Sequence, residues 1–240
     1  MSLDKLPKNQ QKYQERLQHS KRKKRGKQAV NIISIVVGVG VLILALYPIT
    51  NLTEPIQRLH PFADGNSLGD PNAPILLEVY SDFKCPACEF FYTTVEPQLI
   101  QNYVATGIVQ YVFHTFGDRL NPPESGLTAQ AVYCAEDQGK FWEMHNYIFT
   151  NFDYGTTKGF TDKILVTMAE LIGIDENIFS ECLANEVHAE DIINDVEEGR
   201  ALGIPGTPSV IINGTLLDGF QYAEIEEAIE NIIAGEIPED

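Results

Sequence analysis

The chain has little cysteine and, beyond its first 28 residues, little positive charge. Its 240 residues include four cysteines, at positions 85, 88, 134 and 182. Ten of the 17 lysines and arginines lie within residues 1–28, so seven remain in the rest of the chain against 32 acidic residues. An acidic body repels the phosphates of nucleic acids, and this composition therefore argues against a nucleic-acid-binding function.

A long apolar run without charges occupies residues 29–48. At about 1.5 Å per helical residue, this run matches a bilayer core about 30 Å thick. The basic residues just before it predict that residues 1–28 stay in the cytoplasm and that the following domain lies outside. Near the end of the run stands Tyr47, a bulky residue at a place where a signal-peptide cleavage site needs a small one. An uncleaved single-pass anchor is therefore favoured over a signal peptide. No cysteine follows the run directly, which excludes a lipoprotein anchor.

The order of the predicted elements favours an α/β protein. Residues 49–72 contain three prolines and two glycines and are predicted to be a linker. Two strand-like runs, at residues 75–80 and 108–113, flank an amphipathic helix and predict a parallel β-α-β unit. Five helical patterns follow between residues 127 and 202.

Strand character returns near the C-terminus. Residues 209–212 and 215–217 are rich in apolar and β-branched side chains, and Asn213-Gly214 between them is typical of a two-residue hairpin turn. The apolar stripe beyond them predicts a final helix.

The tetrapeptide Cys85-Pro86-Ala87-Cys88 follows the first predicted strand and begins the first predicted helix. The free N–H groups and the dipole of a helix N-terminus stabilise a thiolate, so the pKa of Cys85 should be low. Pro86 suits the first helical turn, where its missing N–H removes no hydrogen bond. Two intervening residues allow the sulfurs to form a reducible disulfide, and the pattern therefore predicts a redox-active pair.

Alternative roles for the cysteines follow from their spacing. A zinc site at Cys85 and Cys88 would need two more ligands, and neither Cys134 nor Cys182 belongs to a second CxxC. We therefore expect no metal and no other cofactor. For Cys134 and Cys182, a structural disulfide is preferred. Two buried free thiols and a second redox pair remain open, as does a purely structural role for the first pair.

Three motifs resemble those of the DsbA-like branch of the thioredoxin superfamily. They are SDFKCPAC at residues 81–88, QGKFW at 138–142 and GTP at 206–208, in this order. The resemblance extends from about residue 69 to the C-terminus. It implies a thioredoxin fold over residues 73–240 with a helical insertion at about 118–203. It also implies that the Thr207–Pro208 peptide bond is cis, faces the Cys pair and binds an extended substrate segment.

The same resemblance implies an extracytoplasmic thiol–disulfide oxidoreductase that introduces disulfides into exported proteins. Its partners would be reduced exported proteins and a membrane oxidase of the DsbB or VKOR type, and the anchored chain would be a monomer. A disulfide reductase or isomerase using the same site is one alternative. Isomerases of this superfamily usually add a dimerisation domain, and residues 49–72 are too short for one. A membrane-tethered binding domain with a structural Cys pair is an alternative of another class.

Two positions depart from the pattern of the family. Many members carry a carboxylate six residues before the first cysteine, where this chain has Val79. Glu78 is one residue away and therefore on the opposite strand face, so we do not expect it to relay protons. The strongest oxidants have His at the position of Ala87, so their extreme thiolate stabilisation is not expected here.

Overall fold

The computed structural model describes residues 52–117 and 123–235, apart from the side chain of residue 154. The predicted tail at residues 1–28 and the predicted anchor at residues 29–48 lie outside these ranges. Among the described helices, none combines the length and the apolar character that a membrane crossing requires. The described residues belong to one unit, which begins at Leu52.

A mixed sheet lies at the centre of the domain. Its strands within the described residues are β1 (Ser67–Leu68), β2 (Ile75–Ser81), β3 (Val109–Thr115), β4 (Ser209–Ile212) and β5 (Thr215–Leu216). Their order is β1-β3-β2-β4-β5. The β2–β3 pair is parallel, as predicted, and the other three pairs are antiparallel. Asn213 and Gly214 have φ values of 48° and 83°, which suit the two-residue turn predicted between β4 and β5.

The first helix, α1, has four consecutive segments. Pro86–Phe90 and Glu96–Leu99 are α-helical, whereas Phe91–Val95 and Ile100–Val104 are π-helical. Pro97 has no N–H to donate, and the helix continues past it.

Seven more helices are described. They are α2 (Glu124–Glu136), α3 (Phe141–Thr150), α4 (Phe152–Lys158), α5 (Asp162–Leu171), α6 (Glu176–Ala184), α7 (Ala189–Ala201) and α8 (Tyr222–Ala234). Thr161 and Asp175 cap α5 and α6 through their side chains. The sequence pattern missed α4, because it contains a glycine and two threonines, which are poor helix formers.

Residues 49–72 were expected to be a linker, but the described residues from 52 onwards pack against the domain. Its β1 strand pairs with β3 and extends the sheet. Upstream, the N–H of Thr53 donates to Asn151 Oδ1 at 2.7 Å. The domain therefore begins well before residue 73. A two-residue strand and isolated polar contacts produce no hydrophobic period, so this packing has no signal in the sequence.

The two faces of the sheet bury different cores. Val79 on β2 belongs to the larger core, which also contains Cys88. Tyr80 and Ile211 point to the other face and pack with Phe116 in a smaller core. This alternation follows from the period of two along a strand.

Glu96 on α1 places its carboxyl group in the larger core. It is 2% exposed. The Tyr111 hydroxyl donates to it at 3.1 Å, Arg58 Nη1 lies 3.5 Å away, and His145 Nε2 lies 3.6 Å away. Burial raises the pKa of Glu96 to about 7, although Arg58 and Tyr111 act in the opposite direction. Burial also lowers the pKa of His145 to about 3, so this ring brings no positive charge at neutral pH.

Glu96→Gln should flatten the pH dependence of stability. The folded pKa of Glu96 lies above the unfolded value, so its contribution is fully present below the unfolded pKa and is lost as pH rises through about 7. The loss amounts to about 3 kcal/mol once the carboxyl is fully ionised. Urea unfolding between about pH 5 and about pH 9 measures the effect. Glu181→Gln, at an exposed position, is the control, and equal pH profiles for wild type and Glu96→Gln would contradict the prediction.

Candidate active site

Cys85 occupies the N-cap position of α1. Its backbone is extended, with φ −90° and ψ 122°, and Pro86 follows in the first turn. The N–H groups of Cys88 and Glu89 both donate to the Cys85 carbonyl at 3.1 Å. Cys85 and Cys88 are free thiols in this structure and are 6% and 1% exposed, respectively. Cys85 is therefore the sulfur that another molecule can reach more readily.

The two thiols have opposite pKa shifts. The hydrogen bond with the Cys88 thiol lowers the pKa of Cys85 to about 5, against the effect of burial. The N–H groups of Cys88 and Ala87 lower the pKa of Cys85 further. Burial raises the pKa of Cys88 well above its ordinary value, and the adjacent Cys85 thiolate adds to this. At neutral pH, Cys85 is the thiolate and Cys88 is the thiol.

The Thr207–Pro208 peptide bond is cis and lies beside the pair. Cys85 Sγ lies 3.3 Å from the Thr207 carbonyl oxygen, across 122 residues of sequence. Within the part of the chain that the structure describes, no backbone group accepts a hydrogen bond from the Thr207 N–H, and its buried Oγ1 has no partner. Residues 205–209 and 217–220 enclose a cavity of about 270 Å³ at this loop. The loop therefore offers unused hydrogen-bonding groups next to the Cys85 sulfur.

Asp82 is a site residue to which the sequence pattern gave no role. Its N–H donates to Cys88 Sγ at 3.4 Å. Its buried carboxylate accepts hydrogen bonds from the Lys84 N–H at 2.9 Å and from the Ser125 hydroxyl at 3.0 Å. Burial raises the pKa of Asp82 to about 6; these two hydrogen bonds oppose the rise, and the charge of Cys85 adds to it. The sequence signal for a role of Asp82 is its place directly after a buried strand and three residues before Cys85.

Asp82→Asn should lower the pKa of Cys85 further. Above about pH 6 the Asp82 carboxylate is negative and repels the Cys85 thiolate. An amide carries no charge; its oxygen still accepts from the Lys84 N–H, and its NH2 group can donate to the Ser125 hydroxyl. We expect a decrease of roughly 0.5 to 1 in the pKa of Cys85. The thiolate absorbance followed against pH measures it. Ser125→Ala keeps the charge and is the control; an unchanged or higher pKa in Asp82→Asn would refute the prediction.

Glu78 lies on the opposite face of β2 from Val79, as its register predicted. Its Oε1 is 3.3 Å from His114 Nε2, and His114 Nδ1 is 3.2 Å from Asp195 Oδ1. Burial opposes protonation of His114, but the two carboxylates raise its pKa to about 9. Glu78 therefore forms an ion pair with His114, on the face away from the core that holds Cys88.

The remaining cysteines, Cys134 on α2 and Cys182 on α6, form a disulfide. They are 1% and 7% exposed. The bond joins two helices of the insertion and closes a sequence separation of 48 residues. This pairing corresponds to the preferred of the three interpretations that the sequence left open.

A stabilised thiolate beside a second thiol can attack a disulfide and then be displaced by its neighbour, so this geometry suits a protein of the thiol–disulfide oxidoreductase class. Comparison with known proteins agrees with this class. The chain belongs to the family described as Thioredoxin, whose model matches residues 63–231. The fold predicted from the sequence motifs, a thioredoxin-like α/β domain with a helical insertion, is confirmed.

Two relatives carry disulfide chemistry in their names. The probable disulfide bond formation protein D of Bacillus anthracis is 26% identical over 200 residues, which cover 82% of this chain and 91% of the relative. Disulfide bond formation protein D of Bacillus subtilis is 27% identical over 175 residues, covering 70% and 77%. Together with the fold and the Cys pair, these similarities identify the chain as a protein disulfide oxidoreductase.

Solved structures show the same fold. Oxidised BdbD from Bacillus subtilis matches with a TM-score of 0.66 at 23% identity, covering 76% of this chain and all of that one. DsbA from Chlamydia trachomatis matches with a TM-score of 0.61 at 22% identity, covering 76% and 98%.

Proposed function

We propose that the chain introduces disulfides into exported proteins through Cys85 and Cys88. The observation that carries this proposal is the position of Cys85 at the N-terminus of α1, more exposed than Cys88, and the lowered pKa of Cys85 agrees with it. Stabilising the Cys85 thiolate stabilises the reduced enzyme, and a stabilised reduced form makes the disulfide form a better oxidant. The same stabilisation also makes Cys85 the better leaving group when a mixed disulfide is resolved.

The reaction begins from the Cys85–Cys88 disulfide. A substrate thiolate attacks Cys85 Sγ, a mixed disulfide forms, and Cys88 leaves as a thiolate that then takes a proton. The N–H of Asp82, 3.4 Å from Cys88 Sγ, stabilises the negative charge at that moment. A second substrate thiolate attacks the substrate sulfur of the mixed disulfide and displaces the Cys85 thiolate. Two electrons pass from the substrate to the enzyme, and the substrate gains a disulfide.

Thr207 and Pro208 bind the substrate segment around the reacting cysteine. The free N–H of Thr207 and the neighbouring cavity favour an extended peptide that pairs with the loop as an added strand. Pro208 has no N–H to place against the Cys85 thiolate. Pro86 and Ala87 bring no charge to the pair and set its spacing.

We further infer where and with whom the enzyme works. The charge-free run at residues 29–48 and the basic tail at 1–28 support a single-pass anchor with the catalytic domain outside the cytoplasm. A membrane oxidase of the DsbB or VKOR type would take the two electrons from the reduced pair. The chain would act as a monomer and without a cofactor, because thiol exchange needs neither a partner subunit nor a metal.

Measuring the redox potential of the Cys85–Cys88 pair tests the proposal. The full chain, in detergent, is equilibrated with glutathione buffers, and its oxidation of a reduced model protein is followed. We expect a potential less negative than about −200 mV, between those of protein disulfide isomerase and DsbA or close to them. A value near the roughly −270 mV of thioredoxin would favour the reductase alternative. No exchange above that of a Cys85→Ser, Cys88→Ser variant would favour a binding domain with a structural pair.

A further inference from the structure

A second cluster of possible metal ligands lies in the insertion, apart from Cys85 and Cys88. The sulfurs of Cys134 and Cys182 and a ring nitrogen of His188 lie within 4.8 Å of one another. Asp137, just after α2, places Oδ2 at 3.8 Å from Cys182 Sγ and 3.0 Å from His188 Nε2. Two sulfurs, one imidazole and one carboxylate oxygen therefore converge on one point.

The imidazole of His188 is held in the orientation that a metal ligand requires. Its Nδ1 lies 2.7 Å from Asp191 Oδ2, which leaves Nε2 directed at Asp137. Its backbone N–H donates to Gln130 Oε1 at 3.2 Å, which fixes the start of α7 against α2. A carboxylate on the far nitrogen of a ligating histidine is the usual outer-shell support of zinc sites.

The oxidation state of the two cysteines decides whether this cluster can bind a metal. In the disulfide the sulfurs are not ligands, because zinc binds thiolates. Reduction breaks only the S–S bond, and the Cα atoms of Cys134 and Cys182, 5.8 Å apart, already permit two thiolates to reach one ion. With zinc–sulfur bonds of about 2.3 Å in a tetrahedron, the sulfurs separate to roughly 3.8 Å by side-chain rotation.

We propose that the reduced Cys134–Cys182 pair, together with His188 and Asp137, is a zinc site that disulfide formation replaces. When a disulfide donor oxidises the zinc dithiolate, the Cys134–Cys182 bond forms, the donor is reduced to two thiolates, and Zn²⁺ is released. A dithiol reverses the reaction and transfers two electrons back to the cysteines. In both states α2 and α6 stay joined, so the insertion keeps one cross-link whether the surroundings are reducing or oxidising.

The sequence pattern predicted no metal because no second CxxC is present. The four ligands come instead from the end of α2, from α6 and from the start of α7, and only the packing of these helices brings them together. The site does not depend on the proposed oxidase function, since Cys85 and Cys88 take no part in it.

The test uses the full chain with Cys85→Ser and Cys88→Ser, so that the second pair holds the remaining thiols. The protein is reduced with a phosphine without oxygen, desalted after addition of Zn²⁺, and analysed for bound metal. Co²⁺ serves as a spectroscopic probe of thiolate ligation. We expect about one metal per reduced chain and none per oxidised chain. His188→Ala should weaken binding at least about 10-fold and Asp191→Asn roughly 10-fold, while His60→Ala should leave it unchanged.

If the reduced chain stays folded, either of two results would overturn the zinc site. The first is a reduced chain that keeps its helical circular dichroism and binds no Zn²⁺ or Co²⁺. The second is metal binding that His188→Ala leaves unchanged. If reduction alone unfolds the insertion, Zn²⁺ should restore the helical signal, because metal binding and folding are then coupled. Failure of zinc to restore it would also reject the site.

Discussion

Cys88→Ala should accumulate mixed disulfides between Cys85 and substrate proteins, whereas Cys85→Ala should accumulate few. Cys85 carries the lowered pKa and is the more exposed sulfur. In Cys88→Ala its thiolate attacks substrate disulfides, one substrate sulfur leaves as a thiolate, and the mixed disulfide persists because no neighbouring thiol displaces Cys85. Cys88 is almost fully buried, and its raised pKa keeps it a thiol at neutral pH. Both variants should reduce oxidase activity to the uncatalysed level, because either change prevents the Cys85–Cys88 disulfide from forming.

Trapping and alkylation separate the roles of the two cysteines. Non-reducing gels of cells that express each full-length variant should show adducts that a reductant removes, and only for Cys88→Ala should they be abundant. In the reduced wild type, an alkylating reagent at about pH 6 should modify one thiol, that of Cys85, because the pKa of Cys85 is about 5. Abundant adducts in Cys85→Ala, or alkylation of Cys88 first, would reverse the assignment.

The position of the Cys pair could be predicted from the sequence because each step has a local cause. The short apolar run of β2 identifies a buried strand, and a proline directly after Cys85 fits a helix start. The parallel pairing of β2 and β3 follows because a helix connects them. The approach of Thr207 to Cys85 could not be derived in this way, because 122 residues separate them. It came from the resemblance alone.

What the sequence missed depends on contacts between distant segments. Asp82 became part of the site because Ser125 and the N–H of Lys84 hold its carboxylate in the core, and Ser125 lies on another helix. Glu96 reads as an ordinary helix-surface residue, yet its α1 position faces Tyr111 of β3. The burial of Glu96 also depends on the segment at residues 49–72, which places Arg58 against it. Because this segment is predicted to be a linker, the sequence does not indicate that it covers Glu96.

The Cys134–Cys182 disulfide should contribute substantially to the free energy of unfolding of the described domain. It closes a loop across a separation of 48 residues, and the loss of unfolded-chain entropy for a loop of this size corresponds to about 4 kcal/mol. Cys134→Ser with Cys182→Ser should therefore lower Tm by roughly 10 °C for a domain of this size. Thermal unfolding of the full chain, with a chelator present to exclude metal binding, measures this difference.

Activity distinguishes a structural disulfide from a second redox pair at the same positions. The double variant keeps Cys85, Cys88 and the Thr207–Pro208 loop, so well below its Tm it should oxidise a model substrate at close to the wild-type rate. A double variant with wild-type Tm would show that the bond adds no stability. A folded double variant that has lost most of its oxidase activity would instead indicate that Cys134 and Cys182 pass electrons to or from Cys85 and Cys88. Because both cysteines of the bond are buried, we expect the double variant to lose stability and to keep its activity.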